Sequence, residues 1–361
     1  MADPAEAGQA RRPTAGRTLR VRPATGADRA AWDALVLASP RGTPFHLEAW
    51  RDAVRRSFPF TSLDLVAEDG EGRLRGAFPL WEVKNPFRRR FLLSAPFAVY
   101  GGIVAEDSAA ERALLAEAER LARSRGAAFV EIRSRDPVDY GFNRKDLYVT
   151  FLRDLPRSPD DCPAMLPRKA RAAARQASER HGLVAEMGRS AFDEFFDLFV
   201  VNKRDLGSPP LPKRFLAALL DSFGPGADVL TVRKDGRAIA AVMTFFFRDT
   251  VVPYYSGSLA RTGPLHPNNF MYLKLMEEGV KRGMARFDFG RSRRETGAFD
   301  FKKNQGFEPT PLHYQYLLLD EGPVPDVHPG NPRFALAAAA WKRLPAPVAR
   351  VFGAAISRYF P

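Results

Sequence analysis

Two stretches of the chain carry the same order of apolar and polar positions. Residues 65–83 (LVAEDGEGRLRGAFPLWEV) and 230–247 (LTVRKDGRAIAAVMTFFF) each read as an apolar strand, an acidic turn ending in Gly-Arg, and a longer strand. A helical stripe follows each hairpin: Leu114, Ala118, Leu121 and Ala122 in the first, Phe270, Leu273, Met276 and Val280 in the second. Ser108 with Glu111 predicts a capping box for the first helix, and Gly126 and Gly283 predict the two helix stops. Each helix runs into a short strand, 129–132 or 287–289. The matching glycines stand about 160 residues apart, which is the mark of a duplicated unit.

The segments ahead of the hairpins correspond as well. Residues 28–57 predict two short helices around a break at 40–44. Residues 190–222 predict a helix with Phe192, Phe195, Phe196 and Phe199 on one face, a Pro-rich break, and a second helix from Lys213. Each unit is thus helix–helix–hairpin–strand–helix–strand, a mixed α/β arrangement with a largely antiparallel sheet and no Rossmann alternation. The expected organisation is a disordered lead at 1–18, a first unit at 19–160, a basic linker helix at 161–182, a second unit at 183–320, and a basic amphipathic tail at 321–361. In the linker Pro167 suits a first helical turn, and Arg168, Arg171 and Arg175 share a face, either solvated or meeting phosphate or RNA. In the tail, 335–344 and 348–360 are apolar with sparse Arg and Lys. From residue 322 on, Asp326 is the single acid. Such a pair of helices either lies on an anionic leaflet or packs back on the domain.

Composition narrows the chemistry. The length of 361 residues suits about two domains. A single cysteine, Cys162, excludes an internal disulfide framework and multi-cysteine metal sites. The five histidines are scattered, so no local histidine metal motif exists and no metal site is expected. The net charge of +13 favours phosphate-bearing substrates, nucleic acid or anionic lipid without choosing among them, and nothing points to DNA. The N-terminal stretch lacks an apolar signal core, and the longest apolar runs are strand-length, so a cytoplasmic protein is expected.

Several stretches carry a resemblance: PFAVYGG (96–102), LPRKARAAARQA (166–177), RDLGSPPLPKRF (204–215), PYYSGS (253–258) and FDFGRSRRETGAFDFKKNQGFEP (287–309). From about residue 20 to 320 the chain is similar to the FemAB-type acyltransferases, with a tandem GNAT (acyl-CoA N-acyltransferase) fold and a BioF-like acetyltransferase domain. Within them it resembles the FemAB-related proteins associated with exosortase/PEP-CTERM systems. The resemblance implies acyl transfer to an amine, with aminoacyl-tRNA donors and cell-wall precursor acceptors in the characterised Fem enzymes. For this chain it suggests a peptidoglycan-like or exopolysaccharide precursor at the inner leaflet. The alternatives are an acyl-CoA-dependent N-acetyltransferase acting on an amino sugar, and a catalytically silent RNA- or glycan-binding module. No tightly bound cofactor is expected; aminoacyl-tRNA or acyl-CoA serves as donor co-substrate.

A formal acetyl-CoA signature, Arg123-Ser-Arg-Gly126-Ala-Ala128, closes a helix where a pyrophosphate cradle must open one, so it is a false match. At the corresponding places stand Tyr100-Gly101-Gly102 and Ser256-Gly257-Ser258. Acyl transfer to an amine needs an oriented carbonyl, a stabilised oxyanion and a route for a proton. The resemblance places Lys302 to stabilise charge on the transferred carbonyl, with Lys303 beside it. Asp288, between Phe287 and Phe289, points away from both rings, and Arg291 is near enough to pair with it or to bind phosphate. Tyr254 and Tyr255 are expected on opposite faces of one strand, with Tyr255 as the catalytic phenol and Tyr254 as a contact. Tyr100 and Gly101 hold the matching place in the first unit. Asn268 and Asn269 are candidates for helix cap and ligand contact, and Lys203 and Lys213 for phosphate contact.

Overall fold

The structure is a computed structural model that describes residues 19–86, 88–324 and 335–361. The expected lead at 1–18 lies outside the described residues. The two units are built alike, as mixed α/β layers with mostly antiparallel sheets. In each, a hairpin (Leu65–Glu68 with Leu74–Phe78, Ala227–Lys234 with Arg237–Phe247) leads to a strand that starts a parallel pair. A crossing helix then returns the chain to the second member of that pair. The first pair joins Arg90–Ser94 to Phe129–Ser134, and the second joins Thr250–Ser258 to Arg286–Asp288.

The crossing helix Ser108–Ser124 buries Leu114, Ala118 and Ala122 of the expected stripe together with Ala110, and leaves Leu121 half-buried. Its cap differs from the expected one: Asp107 is the N-cap and accepts the amide of Ala110, so Ser108 is already helical. Glu111 instead binds Arg41 at 2.8 Å and the Tyr140 hydroxyl at 2.7 Å. Past the helix end the amides of Gly126 and Ala127 return to the carbonyls of Arg123 and Ala122. They are therefore committed to the helix stop, not free for a phosphate.

Pro79 divides the first unit's sheet. Without an N–H it interrupts the ladder, so Leu74–Phe78 stays in a four-stranded sheet while Leu80–Lys84 passes into a six-stranded one. The equivalent strand Arg237–Phe247 contains no proline and runs unbroken.

The units exchange strands. Tyr148–Asp154, from the end of the first half, pairs with Arg286–Asp288 in the second sheet. His313–Leu318, from the end of the second half, pairs with Phe129–Ser134 in the first. One aromatic core spans the boundary: the Trp50 ring lies 5.9 Å from Phe215 and 5.8 Å from Phe245. The basic helix Arg168–Glu179 buries Ala170, Ala174 and Ala177 against the helix Pro267–Lys281 and leaves Arg168, Arg171 and Arg175 exposed.

The tail forms two helices, Ala335–Lys342 and Ala346–Ile356. They pack on the helix Phe192–Asp205 and the loop after it, where a Cβ on Gly353 would meet Pro210 at 2.4 Å. Among the described residues no helix is long and apolar enough to cross a membrane.

Candidate active site

The strand exchange brings one polar cluster together. The alternation along Arg286–Asp288 puts the rings of Phe287 and Phe289 into the core, 5.3 Å apart, and turns Asp288 to the other side. There Asp288 meets Thr150 from the exchanged strand and Tyr100 from the first unit. Its Oδ1 accepts from Tyr100 Oη at 3.2 Å, Thr150 Oγ1 at 3.2 Å and the Gly290 amide at 2.9 Å. Tyr100 and Thr150 also lie within hydrogen-bond reach of each other, so their two hydroxyl protons are shared among these three oxygen contacts. The last of the three contacts needs Gly290, whose φ of +70° folds the chain back over the carboxylate.

Asp288 is 3% exposed, and burial raises its carboxyl above the usual range. Burial, then the neighbouring Asp288, pushes the Tyr100 phenol far up, so Tyr100 stays a donor. No Asp288–Arg291 ion pair forms. Arg291 instead lies 4.5 Å over the Tyr148 ring and donates to Tyr314 Oη at 3.2 Å, and Tyr314 donates to the Val99 carbonyl at 2.7 Å.

Lys302 reaches the same turn from the short helix Gly297–Asn304. Its Nζ donates to the carbonyls of Gly290 at 2.8 Å and Arg291 at 3.0 Å, and stands 5.5 Å from the Phe151 and Phe289 rings. Burial lowers the ammonium to about 7, opposed by Asp288 and assisted by Arg291. A protonated amine has three donors, so the charged form keeps one beyond those given to the two carbonyls. Lys303, next to it, is exposed over the Phe299 ring.

Lys203 is half-buried, 5.5 Å over the Phe199 ring, and burial together with Arg291 lowers its ammonium. Neither Lys203 nor Arg291 meets a carboxylate among the described residues. Two cations that disfavour each other, with no carboxylate partner among the described residues, are an arrangement able to accept an anionic group. Lys213 is elsewhere, paired with Asp193 at 2.8 Å.

The strand Thr250–Ser258 departs from the alternation expected of it. The ladder shifts register between Met243 and Thr244, opposite Tyr255 and Pro253, so Tyr254 is the extra residue of a bulge. Both tyrosine rings therefore turn into the same aromatic core, 4.7 Å apart, and the expectation of opposite faces is corrected. Tyr254 donates to the Phe97 carbonyl at 2.8 Å; Tyr255 Oη is buried without a partner.

Parallel pairing with Arg286–Asp288 covers Thr250↔Arg286 and Val251↔Phe287, and beyond these the strands separate. The Tyr272 ring stands in the gap, 4.5 Å from Phe289, with its hydroxyl 3.4 Å from Ser256 Oγ. Asn268 Nδ2 donates to Ser258 Oγ at 3.3 Å. His266 with Pro267, and neither asparagine, opens the helix; Asn269 is half-buried in its first turn. Gly101 packs where a Cβ would meet Ala95 at 2.3 Å, so its role is close approach.

Thr150, Tyr148, Tyr314 and His46 escape a reading of the sequence. His46 is 3% exposed and binds the Gly102 carbonyl through Nε2 at 3.0 Å, fixing the loop that carries Tyr100. Thr150 is visible in hindsight as the polar residue inside the apolar run of Tyr148–Asp154. Among the described residues no group of three His, Cys, Asp or Glu is placed to hold a metal ion.

Residues 165–303 match the acetyltransferase (GNAT) domain family. No curated protein sequence matches the chain. Among solved structures it is similar to FemX, at 15% identity and a TM-score of 0.68, covering 88% of this chain and 100% of that one. It is similar also to a conserved protein of unknown function from Bacteroides thetaiotaomicron VPI-5482, at 11% identity and a TM-score of 0.56, covering 83% and 100%. A tandem GNAT protein from the clavulanic acid biosynthesis pathway gives 15% identity and a TM-score of 0.52, covering 85% and 100%. These likenesses establish a tandem GNAT fold, and the domain match supports an acyltransferase.

Proposed function

We propose that the protein is a FemAB-like N-acyltransferase that moves an aminoacyl or acyl group onto the amine of a cell-envelope or exopolysaccharide precursor at the inner leaflet. The observation that carries this reading is Lys302, buried on the Gly290 and Arg291 carbonyls one turn beyond Asp288. The amine attacks the donor carbonyl, a C–N bond forms, the ester or thioester bond of the donor breaks, and the leaving oxygen or sulfur ends with the proton that the amine loses. Lys302 in its charged form offers a fixed donor to the oxygen that becomes negative. Asp288, held as an acceptor by Tyr100 and Thr150, takes the proton that the amine must lose. Lys203 and Arg291 hold the phosphate of the precursor.

The donor is an aminoacyl-tRNA or an acyl-CoA. The Tyr272 ring in the gap between the diverging strands, and the absence of a glycine-rich cradle ahead of the helix Pro267–Lys281, favour the first. The exposed arginines of Arg168–Glu179 offer a surface for tRNA phosphates. The exopolysaccharide part of this reading rests on the resemblance of the sequence; the alternative is an acyl-CoA-dependent N-acetyltransferase acting on an amino sugar.

The test is transfer of a labelled acyl group from charged tRNA and from acyl-CoA to amine-bearing nucleotide- and lipid-linked sugars. Amide product with the natural chain, and at least a hundredfold less with Lys302→Ala, supports the reading. A Lys302→Ala protein that retains full transfer removes it. Binding of tRNA or precursor without any transfer leaves the silent binding module in its place.

A further inference from the structure

A second basic cluster shares no residue with the one around Asp288 and Lys302. Where the helix Glu48–Ser57, the start of the helix Lys213–Phe223 and the tail helix Ala346–Ile356 meet, they enclose an open cavity of about 310 Å³. Four arginines line it: Arg55, Arg56, Arg214 and Arg358. Arg55 is paired with Glu48, and Arg56 makes a 3.4 Å contact with Asp52. Arg214 donates to the Ser57 carbonyl at 2.8 Å and Arg358 to the Tyr359 hydroxyl at 2.8 Å, and neither meets a carboxylate among the described residues. Ser57 lines the cavity too; it is 2% exposed and its Oγ has no hydrogen-bond partner.

The rest of the lining is apolar, from Phe58, Pro59, Ala354 and Ala355. On the tail helix Ala354 and Ala355 fall below Val351, at the three- and four-residue spacing of one face, and Arg358 continues it. Val351 is 68% exposed and its neighbour Phe352 is 57% exposed. The chain from 335 to 361 contains four basic side chains and no acidic one. A cavity of cations that opens beside uncovered apolar side chains has the two parts a bilayer surface recognises: acyl chains for Val351 and Phe352, phosphate for the arginines.

We propose that this face docks on a membrane, with the phosphate headgroup of an anionic phospholipid seated between Arg214 and Arg358. It deepens the inner-leaflet part of the functional reading and stands apart from its chemistry. Flotation of the full chain with vesicles of phosphatidylcholine, alone or mixed with phosphatidylglycerol, tests it. The protein is expected to float with the mixed vesicles and to stay behind with the neutral ones. Arg358→Ala weakens partitioning about fivefold, and Arg214→Ala by a similar factor. Val351→Ser with Phe352→Ser releases the protein as well. Arg237→Ala, on the exposed second hairpin turn, changes nothing.

Thermal unfolding establishes that each variant is folded. Equal flotation on both vesicles, or flotation unchanged in Arg358→Ala and Arg214→Ala, overturns the proposal. So does stabilisation by glycerol 1-phosphate without flotation, which assigns the cavity to a soluble phosphate. Transfer to a water-soluble amine is measured in parallel. Loss of flotation in the variants with transfer intact supports docking as a separate function, whereas flotation of the natural chain with no transfer at all would remove the catalytic reading alone.

Discussion

The hydroxyl of Tyr100 donates to Asp288 Oδ1 at 3.2 Å, joining the two halves of the duplicated chain at one carboxylate. Tyr100 leaves the strand system of the first unit on a loop, and Asp288 ends a strand of the second. The bond exists because Tyr148–Asp154 crosses into the second sheet and carries Thr150 between them. A hydrogen bond to a charged group contributes about 1.5–3 kcal/mol, or one pKa unit or more. Tyr100→Phe removes a donor that lowers the Asp288 carboxyl, on top of the burial that already raises it. The acid limb of the kcat–pH profile is therefore expected to move to higher pH. An unchanged limb with unchanged kcat would show that Asp288 carries no proton in the reaction.

Lys302 titrates in the range where the protein is assayed. With its ammonium lowered to about 7, the charged form dominates below that pH and disappears above it. If the charge stabilises the oxyanion, transfer falls as pH rises through about 7, and Lys302→Ala lowers kcat about 10²–10³-fold while removing that limb. Rising activity over the same interval would instead make the neutral amine the proton acceptor and reverse the roles given to Lys302 and Asp288.

Lys203 and Arg291 are argued to neutralise a phosphate, so their loss should appear in binding more than in chemistry. Lys203→Ala is expected to raise KM for a phosphate-bearing precursor about tenfold with kcat little changed. KM of the natural enzyme should rise with salt more steeply than that of the variant. Lys213→Ala, which opens only the pair with Asp193, is the comparison; an equal rise of KM in both would disconnect Lys203 from the substrate.

The sequence makes the duplicated unit readable because hairpin turns, amphipathic stripes and helix stops are local. Lys302 is singled out only through the resemblance that its flanking sequence carries, whereas Asp288 is readable for a related reason, as a polar residue between two aromatic ones. The strand exchange is not: Tyr148–Asp154 and His313–Leu318 alternate as strands in either sheet would, and only long-range packing decides which edge each one joins. Tyr254 shows the same limit at one residue. A bulge adds a residue to one strand and cancels the period of two, and Pro253 beside it was the local sign.

His46 supplies a stability test of the loop that carries Tyr100. Its Nδ1 lies 3.2 Å from the Thr43 amide, which can only donate, so Nε2 bears the proton given to the Gly102 carbonyl at 3.0 Å. Burial lowers the imidazole from 6.5 to about 4. Between these values the unfolded chain binds a proton that the folded chain refuses, so stability is full above pH 6.5 and is lost as pH falls toward 4. The shift corresponds to about 3 kcal/mol. His46→Gln, which keeps a donor and does not titrate, is expected to be less stable than the natural chain at pH 7 by about 1–2 kcal/mol. That gap should close or invert toward pH 4.5, since the carboxylates that titrate there are common to both proteins. Urea unfolding at intervals across this range measures it, and a gap that stays constant with pH would mean that His46 is not held neutral in the folded protein.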